Sequence, residues 1–454
     1  MEFYEVVKRR RSIRRFKPDE IPAKVVEDIM QVATLSVDRS HNERYRVLAV
    51  SNRETIERMR AACVETIERR AAKWTDADEA SWAELGIAFP KHERIGITQR
   101  DHFRYFSTRF DTFFGDAPIV LVMATQPLVW KAAPHVWPTL QLVGAVVQTI
   151  QLAAVEKGVG SCCMTGPLHS RDAHRQILAL EPPWEIVALM PLGVPAYEPA
   201  PRPRKSVAEV LSWLSFSESS GGSTANADSE DGVASIKVEL SEVVRRRRNV
   251  YRFHPDPVPK AEVQEIIRIA TLAPNSLNQQ KWRFVAITAR DVLEGIRDVV
   301  VETTAEIVQR GIEEAQALLD EMAFLDGPEI QDTGVWPDDP RTWGDFVSSR
   351  AACLAEAPTV IAVLNEAVPL GLTSAGWSDI ESIGCAVETL MLAAAARGYG
   401  SCWMTSPLIA WQYVDKLVGV RDPWRTVALV PVGLPREKAQ RDEDAISRVL
   451  TWAK

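Results

Sequence analysis

Val-Val-Lys-Arg-Arg-Arg-Ser-Ile-Arg-Arg-Phe at 6–16 returns as Val-Val-Arg-Arg-Arg-Arg-Asn-Val-Tyr-Arg-Phe at 243–253, with seven of eleven positions identical. Further on, Gly-Ser-Cys-Cys-Met-Thr-Gly-Pro-Leu at 160–168 is echoed by Gly-Ser-Cys-Trp-Met-Thr-Ser-Pro-Leu at 400–408, seven of nine identical. The first pair starts at 6 and 243 and the second at 160 and 400, so the spacings are 237 and 240 residues. Two equal halves follow, and the chain reads as a tandem duplication. Its 454 residues exceed one ordinary core and suit two domains of roughly 200–220 residues. We place the first domain at 1–214 and the second at 236–454. Between them, 215–235 is polar, Gly/Ser-rich and aperiodic, a flexible linker whose span is on the order of 25 Å. That reach lets the halves pair within one chain.

Working outward from the repeat, each half mixes helices and strands. A short helix at 3–11 precedes a Pro-punctuated turn. Val25, Val26, Ile29, Met30 and Ala33, with Val263, Ile266, Ile267 and Ala270, carry the stripe of an amphipathic helix. Strands are expected at 46–51 and 283–288, helical insertions at 52–115 and 291–356, and buried strands at 119–124 and 360–364. Nearly uncharged helices at about 139–156 and 379–397 are apolar enough to pack on each other rather than face water. Strands at 160–165, 400–405, 186–193 and 426–433 complete an α+β, three-layer domain, present twice.

A net charge of −8 argues against nucleic acid as a partner. Cys63, Cys162, Cys163, Cys353, Cys385 and Cys402 show neither Cys-x-x-Cys spacing nor a disulfide framework, which points to a reducing compartment. The first residues lack the pattern of a signal peptide, and no stretch reaches the ~18 uninterrupted apolar residues of a membrane span. The expectation is a cytoplasmic protein without a membrane partner. The seven histidines have no metal-ligand spacing, and none joins a recognisable Ser or Asp triad. The vicinal Cys162 and Cys163 suit packing better than redox work.

Guanidinium forks and a hydroxyl within the Arg-Arg-Ser-x-Arg segment suit a phosphate monoester, and a solvated surface run would look the same. Pro201-Arg202-Pro203-Arg204-Lys205 adds a second rigid basic element. The order of Arg10-Arg11-Ser12-Ile13-Arg14-Arg15-Phe16, a loop Pro274-Asn275-Ser276-Leu277-Asn278-Gln279-Gln280-Lys281-Trp282, the Gly-Ser strand end and the late Arg-Pro-Arg resembles the FMN-dependent nitroreductase family. It covers both halves, nearly the whole chain apart from the linker.

The resemblance implies domains that pair through their long helices, with FMN held between them. One partner would hold the phosphate with the Arg-x-Ser-x-Arg segment and the late basic pair, and would set backbone amides near the flavin N5. The other would bring the Pro-Ser loop against the flavin ring. Carried over to this chain, Arg10, Arg11, Ser12, Arg14, Arg202 and Arg204 hold the phosphate and Thr165 and Gly166 fall at N5, all in the first half. Its own ring loop departs from the family pattern, with Val37, Asp38, Ser40, Asn42, Glu43 and Tyr45 in place of the usual residues. The second half is the reverse: Pro274, Asn275, Ser276 and Asn278 keep the ring loop, whereas Asn249 and Tyr251 replace Ser and Arg, and Arg441, Glu443 and Asp444 replace the late basic pair. A carboxylate beside a phosphate repels it. One hybrid site and one FMN per chain follow, in an intramolecular pseudo-dimer whose chain is otherwise monomeric.

On this reading the protein is an FMN-dependent oxidoreductase moving hydride between NAD(P)H and a small organic acceptor, a nitroaromatic, a quinone or a pathway-specific compound. No side-chain nucleophile is needed, since the cofactor carries the chemistry. The closing helix of the related iodotyrosine deiodinases has no match in 52–74, which lacks Tyr, so dehalogenation ranks below reduction. The aromatic run Phe103, Tyr105, Phe106, Phe110, Phe113 and Phe114 is either a lid over the flavin or insertion core. The alternatives are a flavin-storage protein without turnover and a flavin-free interaction protein.

Overall fold

A computed structural model describes residues 1–37, 44–79, 98–126, 138–215, 237–310, 340–366, 374–436 and 446–453. The first half runs α1 (Phe3–Arg9), α2 (Ala23–Ala33), β1 (Tyr45–Val50), α3 (Arg53–Ala72), α4 (Gln99–Phe110), β2 (Ile119–Thr125), α5 (Pro138–Glu156), β3 (Gly160–Ser161), α6 (Arg171–Ile177), β4 (Glu185–Gly193) and β5 (Leu211–Leu214). The second repeats the order as α7 (Leu240–Arg246), α8 (Lys260–Ala270), β6 (Trp282–Ile287), α9 (Arg290–Arg310), α10 (Pro340–Glu356), β7 (Thr359–Glu366), α11 (Ser374–Ala396), β8 (Gly400–Ser401), α12 (Trp411–Val418), β9 (Trp424–Gly433) and β10 (Leu450–Trp452).

Each half forms a five-stranded sheet, ordered β10-β1-β2-β4-β3 and β5-β6-β7-β9-β8. The central pairings are antiparallel, with Val47 opposite Met123 and Phe284 opposite Val363. The edge strands trade places: β10 pairs parallel with β1, and β5 pairs parallel with β6. Each sheet is thus completed by the last strand of the other half. Sequence periodicity gives no hint of this, because three- and four-residue strands are too short to show a period.

One apolar core runs through both halves, built from α1, α2, α5, α7, α8, α11 and one face of each sheet. The opposite face of the first sheet packs against α3, and that of the second against α9, α10 and α12. At the centre α5 and α11 cross so closely that a Cβ on Gly144 would lie 2.2 Å from the Glu381 carbonyl oxygen, and one on Gly384 2.0 Å from that of Gln141. Glycine is what lets the backbones meet. The Cys385 thiol donates to the Gly144 carbonyl at 3.1 Å and the Gln148 amide to Thr389 Oγ1 at 2.8 Å. In length and apolarity α5 could cross a membrane, but 94% of its apolar window is buried inside the protein.

The expected strands at 160–165 and 400–405 are shorter than the pattern suggests. Only Gly160–Ser161 and Gly400–Ser401 join the ladder, and Met164 and Met404 return to it by single bridges. Pro167 and Pro407 lack the N–H a strand needs, and 3-10 turns at Gly166–Ser170 and Ser406–Ala410 start there instead. The insertions supply α3, α4, α9 and α10. Apart from residue 215, the linker, like Asp38, Ser40, Asn42, Glu43, Arg441, Glu443 and Asp444, lies outside the described residues.

Candidate functional site

Helix α1 stops at Arg9, and Arg10 takes extended dihedrals. The next residues run as a strand beside β3: Ser12 bridges Ser161 in parallel, and the Ile13 amide donates to the Ser161 carbonyl at 2.9 Å. Strand alternation then puts Ile13 on the side of Gly160, where a Cβ would come within 2.8 Å of it, and Ser12 and Arg14 on the other side. That side opens into a cavity of about 260 Å³.

The cavity is built by both halves. The first supplies Ser12, Arg14, Cys163, Thr165, Gly166, Gln151 and the aromatic wall of Phe103, Phe106, Phe110 and Phe113; the second supplies Pro274, Asn275, Ser276, Leu277, Glu381 and Ser382. Seven of the twelve candidate residues therefore line one space: Ser12, Arg14, Thr165, Gly166, Pro274, Asn275 and Ser276. Arg10 lies behind the wall and is 4% exposed. Arg204 lies at the seam between the halves, its Nη1 donating to Asn278 Oδ1 at 3.1 Å and its Nη2 to the Leu272 carbonyl at 3.3 Å. Arg10 Nη2 reaches the same carbonyl at 3.5 Å. Arg11 turns back on its own chain, donating to the Lys8 and Arg10 carbonyls, and Arg202 is exposed.

The loop from the second half is held under backbone strain. Leu277, Asn278 and Gln280 have φ of 50°, 62° and 51°, a left-handed region costly for a branched residue such as leucine. It persists because it is pinned from several sides. The Gln280 amide donates to Asn275 Oδ1 at 2.9 Å, the Ser276 amide to Ser382 Oγ at 3.1 Å, Asn278 Nδ2 to the Pro203 carbonyl at 3.1 Å, and the Lys205 amide to Gln280 Oε1 at 2.8 Å. The Arg-Pro-Arg-Lys element of the first half is therefore the clamp on the loop of the second.

Positive charge gathers at this seam without a counter-charge. Among the described residues Arg10, Arg11, Arg14, Arg202 and Arg204 form no salt bridge, and Arg10 Nε and Nη1 are buried without a hydrogen-bond partner. Burial and the neighbouring guanidiniums, Arg204 beside Arg10 and Arg11 beside Arg204, bring both Arg10 and Arg204 down to about 10. Within the cavity both Gln151 amide atoms and Glu381 Oε1 are buried and unpartnered. Burial pushes the Glu381 carboxyl up to about 8 while the Cys163 thiol donates to its Oε2 at 3.5 Å. Unpaired guanidinium donors at one end and amide and carboxyl groups along an aromatic-walled slot fit a phosphorylated flavin such as FMN.

The equivalent place in the second half is filled differently. Arg247, 3% exposed, donates to the Leu35 carbonyl at 3.3 Å as Arg10 does to Leu272, but it also faces the Glu388 carboxylate at 3.7 Å. Tyr251, at the position of Arg14, is covered by Arg350, whose guanidinium lies 3.6 Å from the ring centre.

Two groups on the cavity wall, Asp111 and His169, escaped the sequence reading. Asp111, at the C-cap of α4, sets its carboxylate against Gly166, where a Cβ would lie 1.9 Å from Oδ1. His169 Nδ1 is 3.9 Å from Asp111 Oδ2, and His169 Nε2 is 3.4 Å from the Cys63 sulfur. Burial moves Asp111 up to about 7 and His169 down to about 4. Between those values both are neutral, so the 3.9 Å approach is not an ion pair there. The signal lay in the repeat: at the matching spacings of 237 and 240 the second half carries Val300, Ala351 and Ile409.

The Nitroreductase family matches the chain twice, over residues 7–194 and 244–434. The chain is 28% identical over 196 residues to an iodotyrosine deiodinase of Thermotoga neapolitana, covering 43% of this chain and 88% of that protein. It is 30% identical over 209 residues to a 5,6-dimethylbenzimidazole synthase of Rhodospirillum rubrum, covering 45% and 85%. A solved structure of an oxidized iodotyrosine deiodinase bound to FMN and 3-iodo-L-tyrosine is 23% identical over 46% of this chain and 97% of its own, with a TM-score of 0.32.

Proposed function

The chain belongs to the nitroreductase family, and on that premise we propose that it is an oxidoreductase holding one FMN in the cavity between its halves and moving hydride between NAD(P)H and a small organic acceptor. The observation that carries this is the meeting, in one cavity, of Ser12 and Arg14 from the first half with Pro274, Asn275 and Ser276 from the second, with Arg10 and Arg204 converging behind it on the Leu272 carbonyl. Neither half builds the cavity alone, so the chain works as an internal pseudo-dimer.

In this reading Arg10, Arg14 and Ser12 offer donors to the phosphate end, supported by Arg204, Arg11 and Arg202. Burial strengthens those charge-assisted bonds. The strained loop at 275–280, with Asn278 held by Arg204, presents a rigid edge to the ring, and rigidity limits the ordering lost on binding. Thr165 and Gly166 start the 3-10 turn at the cavity floor and present backbone to the ring centre. Bound FMN would supply the hydride-carrying chemistry. Phe106 and Phe110, whose ring centres are 4.6 Å apart, wall the slot and favour a flat acceptor such as a quinone or nitroaromatic.

The purified protein should be yellow, with one FMN released per chain on denaturation, and the bound flavin should be bleached by NADH or NADPH and reoxidised by menadione. Two equivalents per chain would sink the single-site reading. A flavin that binds without being reduced would make the protein a storage module.

A further inference from the structure

We propose that Asp111 is the acid that gives a proton to the acceptor as hydride reaches it. The inference rests on the flavin-site reading above and adds a residue to it. Asp111 is 9% exposed, lines the cavity, and lies against Gly166 at the floor where the ring centre is expected.

The second half provides an internal control. At the positions of Cys63, Asp111 and His169 it buries Val300, Ala351 and Ile409 in an apolar cluster, so the same scaffold packs without any polar group there. A buried carboxyl and imidazole in place of methyl groups oppose folding unless they are well partnered; the imidazole is held by the backbone of Gly166 and Cys63, whereas the carboxyl is partnered loosely. The Asp111 carboxyl has the Ser107 hydroxyl as its hydrogen-bond partner and His169 at 3.9 Å. A polar cluster that the fold does not need, set at the wall of the composite cavity, points to chemistry.

The groups facing Asp111 leave it neutral at moderate pH. From α3 come Cys63, a thiol that burial pushes up to about 12, and Arg70; from the 3-10 turn comes His169; across the cavity are Arg14 and Glu381. Burial outweighs the Ser107 hydroxyl and brings Asp111 up to about 7, so below that pH the group is a carboxylic acid able to donate. For a quinone the step balances as follows. A bound flavin, once reduced by a nicotinamide dinucleotide, would supply hydride, that is, two electrons and one proton. The acid O–H of Asp111 breaks and supplies the second proton to the quinone oxygen, giving the hydroquinone, and the carboxylate left behind reloads from water.

The test uses the full chain with its flavin, comparing wild type with Asp111→Asn and with Asp111→Ala, the residue the second half already tolerates. Flavin content and the rate of flavin reduction by NAD(P)H should be unchanged. Reoxidation by menadione should slow roughly 10²-fold, with its fall above pH 7 abolished, whereas reoxidation by ferricyanide, which takes electrons without a proton, should hold its rate. Independently of turnover, carboxyl-¹³C aspartate NMR should show one group titrating near pH 7 in wild type and none there in Asp111→Asn. Menadione reoxidation at the wild-type rate in both variants, or no aspartate titrating above pH 5, overturns the proposal. A wild-type protein that binds no flavin instead overturns the site reading on which it rests, even where the NMR titration is as expected.

Discussion

Arg10 and Arg247 stand at equivalent places, both buried, both donating across the seam to a backbone carbonyl of the other half, Leu272 and Leu35. Among their described neighbours, one difference is a carboxylate. Glu388 on α11 faces Arg247 at 3.7 Å, whereas its counterpart on α5 is Gln148, which spends its amide on Thr389. A buried guanidinium that already has a carboxylate has no need of an anion, and one without it has every reason to bind a phosphate. On the proposed reading, a carboxylate-for-amide difference on a central helix thus separates a ligand site from a piece of core. The Arg350–Tyr251 stack makes the same distinction a second time, since it fills the space that Arg14 leaves open in the first half.

The hardest blow to this contrast would come from changing the charge on each side. Arg204→Glu should weaken flavin binding about 10²-fold by removing charge-assisted donors, measured as flavin retained after gel filtration. The double variant Arg247→Met with Glu388→Met should keep full flavin content and match or exceed wild-type stability in urea, because an apolar pair replaces a buried ion pair. Loss of flavin in the second variant, and not the first, would put the site in the wrong half.

Next in size is a graft. Giving the first half the second half's residues, Cys63→Val with Asp111→Ala and His169→Ile, should raise stability by about 1–3 kcal/mol in urea unfolding. Menadione reoxidation should be lost at the same time. A destabilised graft would mean that the polar cluster holds the first half together.

pH sharpens the contrast further. Asp111 and Glu381 are raised in the folded state to about 7 and 8. Their contribution is therefore fully present below the ordinary carboxyl range and is lost as pH rises through those values. His169, lowered to about 4 by burial, acts in the opposite sense, with stability present above its ordinary value near 6.5 and lost as pH falls. Melting temperature should thus decline from pH 6.5 to 8, and Asp111→Asn combined with Glu381→Gln should flatten that decline; an unchanged slope would place the responsible carboxyls elsewhere. The smallest effect is expected at Leu277, which is 49% exposed and left-handed. Leu277→Gly should stabilise the fold by about 1 kcal/mol, and a loss of stability would show that the side chain holds the loop.

The repeat in the sequence already determined a great deal. Two copies of one α+β domain and the apolar helices that pack on each other follow from residue types and their order, because periodic burial is a local property, whereas the assignment of Ser12 and Arg14 to one side of a site and Pro274 to Ser276 to the other came from the resemblance of their motifs to a known family. The tertiary structure decided what depends on distance between distant residues. It alone exchanged β5 and β10 between the sheets, turned Arg204 into the clamp of the loop around Asn278, gave Arg247 a carboxylate and left Arg10 without one. It also gathered Cys63, Asp111 and His169 from three separate elements. Solvation and charge pairing are set by what packs alongside, and no spacing along the chain records that.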